Sequence, residues 1–335
     1  MGRLSATVFP SALTLCAAML AVGTSPRASV RHPVGPPATV TDGPAVDAAR
    51  LMDRSLADLR ALRAEKGIPI DRALDPNATG IIGDEFSPLT TSVGDVEAKR
   101  TAANPAFAAV MVGYFRRAGL NAGDVVAVGA SGSFPAFALA TLSAARALDL
   151  QPVVIYSVGS SMYGANLPGF TLVDMVERLR RDGLLPYRLA AVSPGGDADG
   201  GGGVLFDESG DTLVAEARRS GLPMVGGATL ADRIRDRLRI YEAASGGRPV
   251  RCFVNIGGAA ASFGSTNASL SLPNGLVLRP PTLPTSPARG VVFEFAARGV
   301  PVVHLLFVKG LARDNGLPFD PVPLPPIGEG PVYGR

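Results

Sequence analysis

Residues 125–136 read Val-Val-Ala-Val-Gly-Ala-Ser-Gly-Ser-Phe-Pro-Ala, a short apolar run that passes through small residues into a helical period beginning near Phe134. A continuous apolar run of this length, closed by Gly and followed by a helix, suits a strand covered on both faces. The same step recurs along the chain. Core strands are expected over 125–128, 153–157, 189–192, 250–255 and 302–307, with a weaker one near 223–225. Helical periods lie over 134–148, 172–182, 211–220, 231–244 and 290–298. Strands alternating with helices are the pattern of βαβ units, so the chain is predicted to be α/β: a Rossmann-like, mostly parallel sheet with helices on both faces. No internal repeat is present.

Upstream of this domain, Arg3 precedes an uncharged run from Leu4 to Pro26, long enough to cross a bilayer as an apolar helix. Ala21-Val22-Gly23 also offers small residues for signal cleavage. Residues 1–23 are therefore expected to be a signal peptide or a membrane anchor. The expected location is the cell membrane, with a single N-terminal span and the domain outside the cytoplasm; the alternative is secretion after leader cleavage. Leu15 before Cys16 argues against a lipid anchor there. Pro26, Pro33, Pro36 and Pro37 detach the run from the downstream chain, which disfavours a buried helix of the domain and makes 24–43 a semi-extended spacer. The domain, 44–335, opens with an amphipathic helix that has Pro44 in its first turn.

With 335 residues, 47% hydrophobic and 18% charged, the chain has the composition of a folded protein. Its 32 basic and 29 acidic residues leave a net charge of only +3, which does not indicate nucleic acid. The densest basic run, Asp232-Arg-Ile-Arg-Asp-Arg-Leu-Arg239, carries Asp232 and Asp236 at spacings that pair with arginines along a solvated helix face; a docking stripe for an acidic polymer is the functional alternative. Cys16 and Cys252 fall in the leader and in a strand, so no disulfide joins them in the domain, and Cys252 is expected to be buried and inert. His32 and His304 have no partner at ligand spacing, so no metal site is expected.

Ligands of parallel sheets sit beyond the carboxyl ends of the strands, where three loops share one character. They are Val128-Gly-Ala-Ser-Gly-Ser-Phe-Pro-Ala136, Ser157-Val-Gly-Ser-Ser-Met-Tyr-Gly-Ala-Asn166 and Asn255-Ile-Gly-Gly-Ala-Ala-Ala-Ser-Phe-Gly264. Small residues there admit a carboxylate or phosphate to backbone N–H groups, or simply make tight turns. The candidate ligand-binding residues are Gly129, Ser131, Gly132, Ser133, Ser160, Asn166, Asn255, Gly257 and Gly258. Gly129 and Gly132 do not complete Gly-x-Gly-x-x-Gly, and no loop has the lysine of a P-loop, so no nucleotide cofactor is expected. Gly129-Ala-Ser131-Gly-Ser133 approaches the turn that exposes a nucleophilic serine, with Ser in place of the last Gly. Ser131 is thus a ligand-anchoring hydroxyl or, less simply, a nucleophile with His304 as base; a structural His304 is the alternative. Residues 83–105 pack Glu85, Thr90, Lys99 and Arg100 into a largely irregular span, in which a cation would hold a carboxylate and Glu85 or Glu97 would serve as acid or base, unless the span is a solvated loop. Asp197 and Asp199, among glycines, read as a mobile loop.

Taken in order, Leu89-Thr-Thr-Ser-Val-Gly with Lys99-Arg-Thr, then Ala127-Val-Gly-Ala-Ser-Gly-Ser-Phe-Pro-Ala136, Ser157 to Asn166, and His304-Leu-Leu with Gly316-Leu-Pro-Phe-Asp-Pro321 resemble the poly-γ-glutamate system protein family. The likeness runs from about Pro44 to Pro321, and the family's N-terminal membrane segment also resembles Leu4 to Pro26. It implies a place in poly-γ-glutamate (capsule-type) synthesis or export, with poly-γ-glutamate or the membrane components of its synthase as partners. It assigns no catalytic residues. Two classes of function are open: a tethered accessory protein that binds an anionic γ-glutamyl chain or the synthase, and a serine-dependent hydrolase or transferase of γ-glutamyl bonds acting through Ser131.

Overall fold

The computed structural model describes residues 43–205, 210–265, 272–280, 282–286 and 288–334. The expected leader, its apolar helix and the spacer over 1–42 lie outside the described residues. Among the described residues, no helix is long and apolar enough to cross a membrane.

In chain order the elements are α1 (Gly43–Glu65), β1 (Thr90–Ser92), α2 (Val96–Ala102), α3 (Ala106–Arg117), β2 (Val125–Ser131), α4 (Pro135–Ala147), β3 (Gln151–Ser157), β4 (Ser160–Ser161) and α5 (Leu172–Arg181). They continue with β5 (Leu189–Ser193), α6 (Asp211–Arg219), α7 (Leu230–Ala244), β6 (Val250–Ile256), α8 (Ala260–Phe263), β7 (Gly275–Val277), α9 (Val291–Ala297), β8 (Val302–Leu305) and α10 (Val308–Asp314), before a 3-10 turn at Pro331–Tyr333. The fold is α/β, with a mixed six-stranded sheet in the order β5-β3-β2-β6-β8-β7 and helices packed around it. Only β7 runs antiparallel, at the edge beside β8. A separate parallel pair joins β1 to β4.

The five strands expected from apolar runs are all present where those runs are buried: every residue of β2 is buried, whereas the last strand stops at Leu305, short of the expected Phe307, which is 56% exposed. Alternation divides their side chains between two cores. Val126, Val128, Val154, Val254 and Val303 pack with α1, α3 and α4 residues on one face. Val125, Ala127, Ile155, Phe253 and Val302 pack with Tyr241 and Phe295 on the other. There Phe253 stacks on Phe295 at 5.0 Å, and Tyr241 meets both rings edge-on while its hydroxyl donates to Val128 O at 2.8 Å. Each fully buried side chain of this size contributes about 1.5–3 kcal/mol.

Several elements depart from the sequence expectation. The weak strand near 223–225 is a single bridge from Met224 to Val192. The span expected to be largely irregular contains β1 and α2. The helix α3 has no counterpart among the expected elements, because Ala-Phe-Ala-Ala-Val-Met-Val is apolar on every side and shows no period; it is a core helix started by Asn104, whose Oδ1 accepts from Ala106 N at 3.0 Å.

The order of strands places the site. The chain builds outward from β2 through β3 to β5, then returns to the other side of β2 with β6 and β8. The strand order therefore reverses between the neighbouring strands β2 and β6, the position at the carboxyl edge where sheets of this kind receive ligands.

Candidate functional site

Register lines up polar side chains at that edge, on the face covered by α7 and α8. Ser131 is paired with Ser157, and Ser157 with Ser193; one step back, Gly129 is paired with Asn255, and Asn255 with His304. All five of the side chains that this row contributes are buried. They form two groups.

The first is closed. Arg237 of α7 donates from Nη2 to Asp199 Oδ2 at 2.7 Å, Ser157 Oγ at 2.8 Å and Ser193 Oγ at 2.6 Å. Asp199 Oδ1 accepts from both serines, at 3.0 and 2.7 Å. The loop expected to be mobile is thereby anchored at its centre, since Asp199 is fully buried. The flanking arginines behave as the sequence suggests: Arg235 pairs with Asp232 and Arg239 with Asp236 on the exposed side of α7.

The second group is under-satisfied. Ser131 Oγ donates to Ile256 O and accepts from Ser133 N, both at 3.4 Å, the long limit of a hydrogen bond. Asn255 Nδ2 donates to Gly257 O at 2.9 Å and meets His304 Nδ1 at 3.1 Å, while Asn255 Oδ1 is buried without a partner among the described residues. Burial pushes the His304 imidazole down to about 4, so it is neutral at pH 7; with Nδ1 accepting from Asn255, the proton sits on Nε2. His304 thus engages Asn255, and the hydrogen bonds of Ser131 are to backbone atoms. Gly257 has φ +81°, and a Cβ there would lie 2.3 Å from Ser131 Oγ, so only glycine permits this approach. Gly258 beside it is exposed.

On the opposite side of the β2 loop stands Lys99. Helix α2 presents it, fixed by Asp95, whose side chain accepts from Glu97 N at 2.9 Å. Lys99 Nζ donates to Ser133 O, lies 2.6 Å from Ser161 Oγ and sits 3.8 Å from the centre of the Phe134 ring. Ser133 Oγ in turn accepts from Ser161 N at 3.1 Å. Burial among these neutral groups drives the ammonium down to about 7, against a smaller opposing effect of Asp95.

The remaining predicted residues lie elsewhere. Asn166 and Thr90 are fully buried in a clamp: Asn166 Nδ2 donates to Asp84 O at 2.7 Å and Thr90 Oγ1 at 3.0 Å, and its Oδ1 accepts from Asp84 N at 3.1 Å. Ser160 Oγ turns back to Ser161 O at 2.8 Å. Gly132 and Gly129 are close-packing positions, where a Cβ would come within 2.7 Å of Ser160 Cβ and 3.0 Å of the Phe253 ring respectively. Arg100 is occupied by the chain's own Asp320, which it grips through Nε at 2.6 Å and through Nη2. Glu85 is exposed beside Tyr163, whose phenol is raised by burial and then by that charge.

The sequence does not single out two residues of these networks. Which of the adjacent serines at 160 and 161 faces Lys99 is set by the pairing of β1 with β4, a long-range fact with no local mark. Arg237 does carry a mark, since it falls three residues after Ile234 and four before Tyr241, on the buried face of α7. No protein-family model, curated protein or solved structure matches this chain, and the chemistry of the site is read from these side chains alone.

Proposed function

We propose that the chain is a membrane-tethered, extracytoplasmic accessory protein of poly-γ-glutamate (capsule-type) synthesis or export, whose Rossmann-like domain binds an anionic γ-glutamyl chain in the crevice between the loops after β2 and β6. The ordered sequence blocks between Leu89 and Pro321 support the pathway, and the apolar run from Leu4 to Pro26 with its Pro-rich spacer supports the tether. Secretion after leader cleavage is the variant of this reading, and the synthase's membrane components are its alternative partner.

The observation that carries the binding reading is the pairing of an orphan acceptor with a loosely held hydroxyl. Among the described residues Asn255 Oδ1 has no donor, and Ser131 Oγ makes contacts of 3.4 Å. Each γ-glutamyl unit offers an amide N–H and an α-carboxylate, which match an acceptor and a donor respectively. A buried acceptor left unmade costs about 1–3 kcal/mol, so a ligand that satisfies it recovers that amount. Binding is favoured over hydrolysis through Ser131 because His304, the base that reading requires, is engaged with Asn255.

Calorimetric titration of γ-linked glutamate oligomers into the wild type and Ser131→Ala tests this. Binding weakened about fivefold by loss of one hydrogen bond is expected. Absence of heat with the wild type, at oligomer concentrations where α-linked glutamate oligomers are also silent, overturns it.

A further inference from the structure

Lys99 and Ser161 are joined by a 2.6 Å contact between Nζ and Oγ, and Ser133 holds both, accepting from Lys99 at its carbonyl and from Ser161 N–H at its hydroxyl; from this geometry we propose that Ser161 is a nucleophile and Lys99 its general base in an acyl-transfer centre for amide or ester substrates. The centre stands on these residues and does not depend on the γ-glutamyl binding reading, which uses Ser131 and Asn255 on the other side of the β2 loop.

The bonding directions of the amine fit the role. A neutral Nζ has two hydrogens and one lone pair. In the structure Nζ donates to Ser133 O and to Ser161 Oγ and faces the Phe134 ring; once one proton is lost, the hydrogens stay on Ser133 O and the ring and the lone pair turns to the Ser161 hydroxyl proton. The depressed Lys99 pKa, about 7, makes that neutral form substantial at physiological pH.

Ser161 is 7% exposed and lies under the turn that follows β1, where Val93 is 56% exposed. A Cβ on Gly94 would come 2.6 Å from Met162 O and 3.2 Å from Ser161 Oγ, so only glycine fits where this backbone passes beside the hydroxyl.

The step balances as hydrolysis. Ser161 Oγ forms a bond to the acyl carbon while its proton passes to Lys99 Nζ. Collapse re-forms the carbonyl and breaks the C–N or C–O bond, and the leaving group takes the proton from the Lys99 ammonium. Water then adds to the acyl carbon, gives its proton to Lys99, and releases the acid as Ser161 Oγ is reprotonated.

The test is labelling of the full chain with a fluorophosphonate, read by intact-mass spectrometry and peptide mapping across pH 5–10. Attack by Ser161 forms an O–P bond and expels fluoride, with the proton again going to Lys99. The expected result is one adduct on the peptide containing Ser161, with a rate that rises through an apparent pKa near 7 and then levels. Ser161→Ala loses the adduct. Lys99→Arg, which keeps the cation and removes the base, slows labelling by about 100-fold or more while circular dichroism is unchanged. If Lys99→Arg does not fold, the wild-type pH profile and the mapped site decide the matter. A folded wild type that forms no adduct, an adduct on another serine, or a rate flat from pH 6 to 9 overturns the proposal.

Discussion

Arg237 and Asp199 form an ion pair that is shielded almost completely from solvent, with side chains 2% and 0% exposed and a closest approach of 2.7 Å. The pair fastens the glycine-rich loop after β5 to α7, and Ser157 and Ser193 at the ends of β3 and β5 hydrogen-bond to both charges. Removing one partner leaves the other charge buried and alone, so Asp199→Ala or Arg237→Met is expected to lower stability by about 3–5 kcal/mol. The double variant leaves two serines 3.1 Å apart that satisfy one another, and should lose less than the sum of the singles. Urea unfolding of the three variants measures this, and additive losses would refute the coupling.

Cys252 gives a second, simpler prediction. It is buried within β6, and burial pushes its thiol up to about 12, so thiolate is scarce at any physiological pH. In native protein, a thiol reagent at pH 8 should label Cys252 only as fast as the chain unfolds; labelling within seconds in the absence of denaturant would contradict the buried placement.

How much of the molecule is legible in its sequence depends on the range of the interaction that fixes each feature. Strands such as 125–131 and 250–256 announce themselves because burial on both faces of their central residues demands apolar side chains, although Arg251 and Asn255 interrupt the second. Helix α3 leaves no such sign for the same reason, since burial all round erases the period that marks a helix. The shared edge of the loops after β2 and β6 is legible because parallel strands deliver their loops to one edge. Their glycines suggest room for a ligand, yet Gly132 and Gly129 make space for Ser160 and Phe253 of the protein itself. Charge is the least legible property. Arg100 and Lys99 are adjacent in sequence and alike in type, but one meets Asp320, 220 residues away, and the other meets neutral groups.

That contact of Arg100 with Asp320 docks the C-terminal segment, and Asp320 N also donates to Thr101 Oγ1 at 2.8 Å. The side chains are 15% and 19% exposed, so the pair keeps part of its solvation and a forked, charge-assisted geometry. Asp320→Asn should cost about 1 kcal/mol in global stability. Its larger effect should be local: limited proteolysis is expected to cut the chain after α10 several times faster in the variant, while cleavage elsewhere is unchanged. Equal rates at that segment would show that the contact does not hold it.

The dependence of stability on pH separates His304 from Lys99. Both are basic groups whose folded pKa lies below the unfolded value, His304 at about 4 against 6.5 and Lys99 at about 7 against 10.5. Between the two values the unfolded chain holds a proton that the folded chain does not, so stability rises with pH across each window. For His304 the contribution is complete above pH 6.5 and is lost as pH falls toward 4; at 1.36 kcal/mol per pH unit the loss is about 3 kcal/mol. For Lys99 the burden of a desolvated ammonium is lifted as pH climbs from 7 toward 10.5. Urea midpoints taken from pH 4 to 10 on the wild type, His304→Asn and Lys99→Met should therefore differ in slope in two separate ranges. His304→Asn should flatten the acid limb alone and Lys99→Met the alkaline limb alone, because the carboxylates common to all three chains cancel in the differences. A Lys99→Met profile parallel to wild type above pH 7 would mean that Lys99 keeps its proton there, and would remove the neutral amine from which the base at Ser161 draws its chemistry.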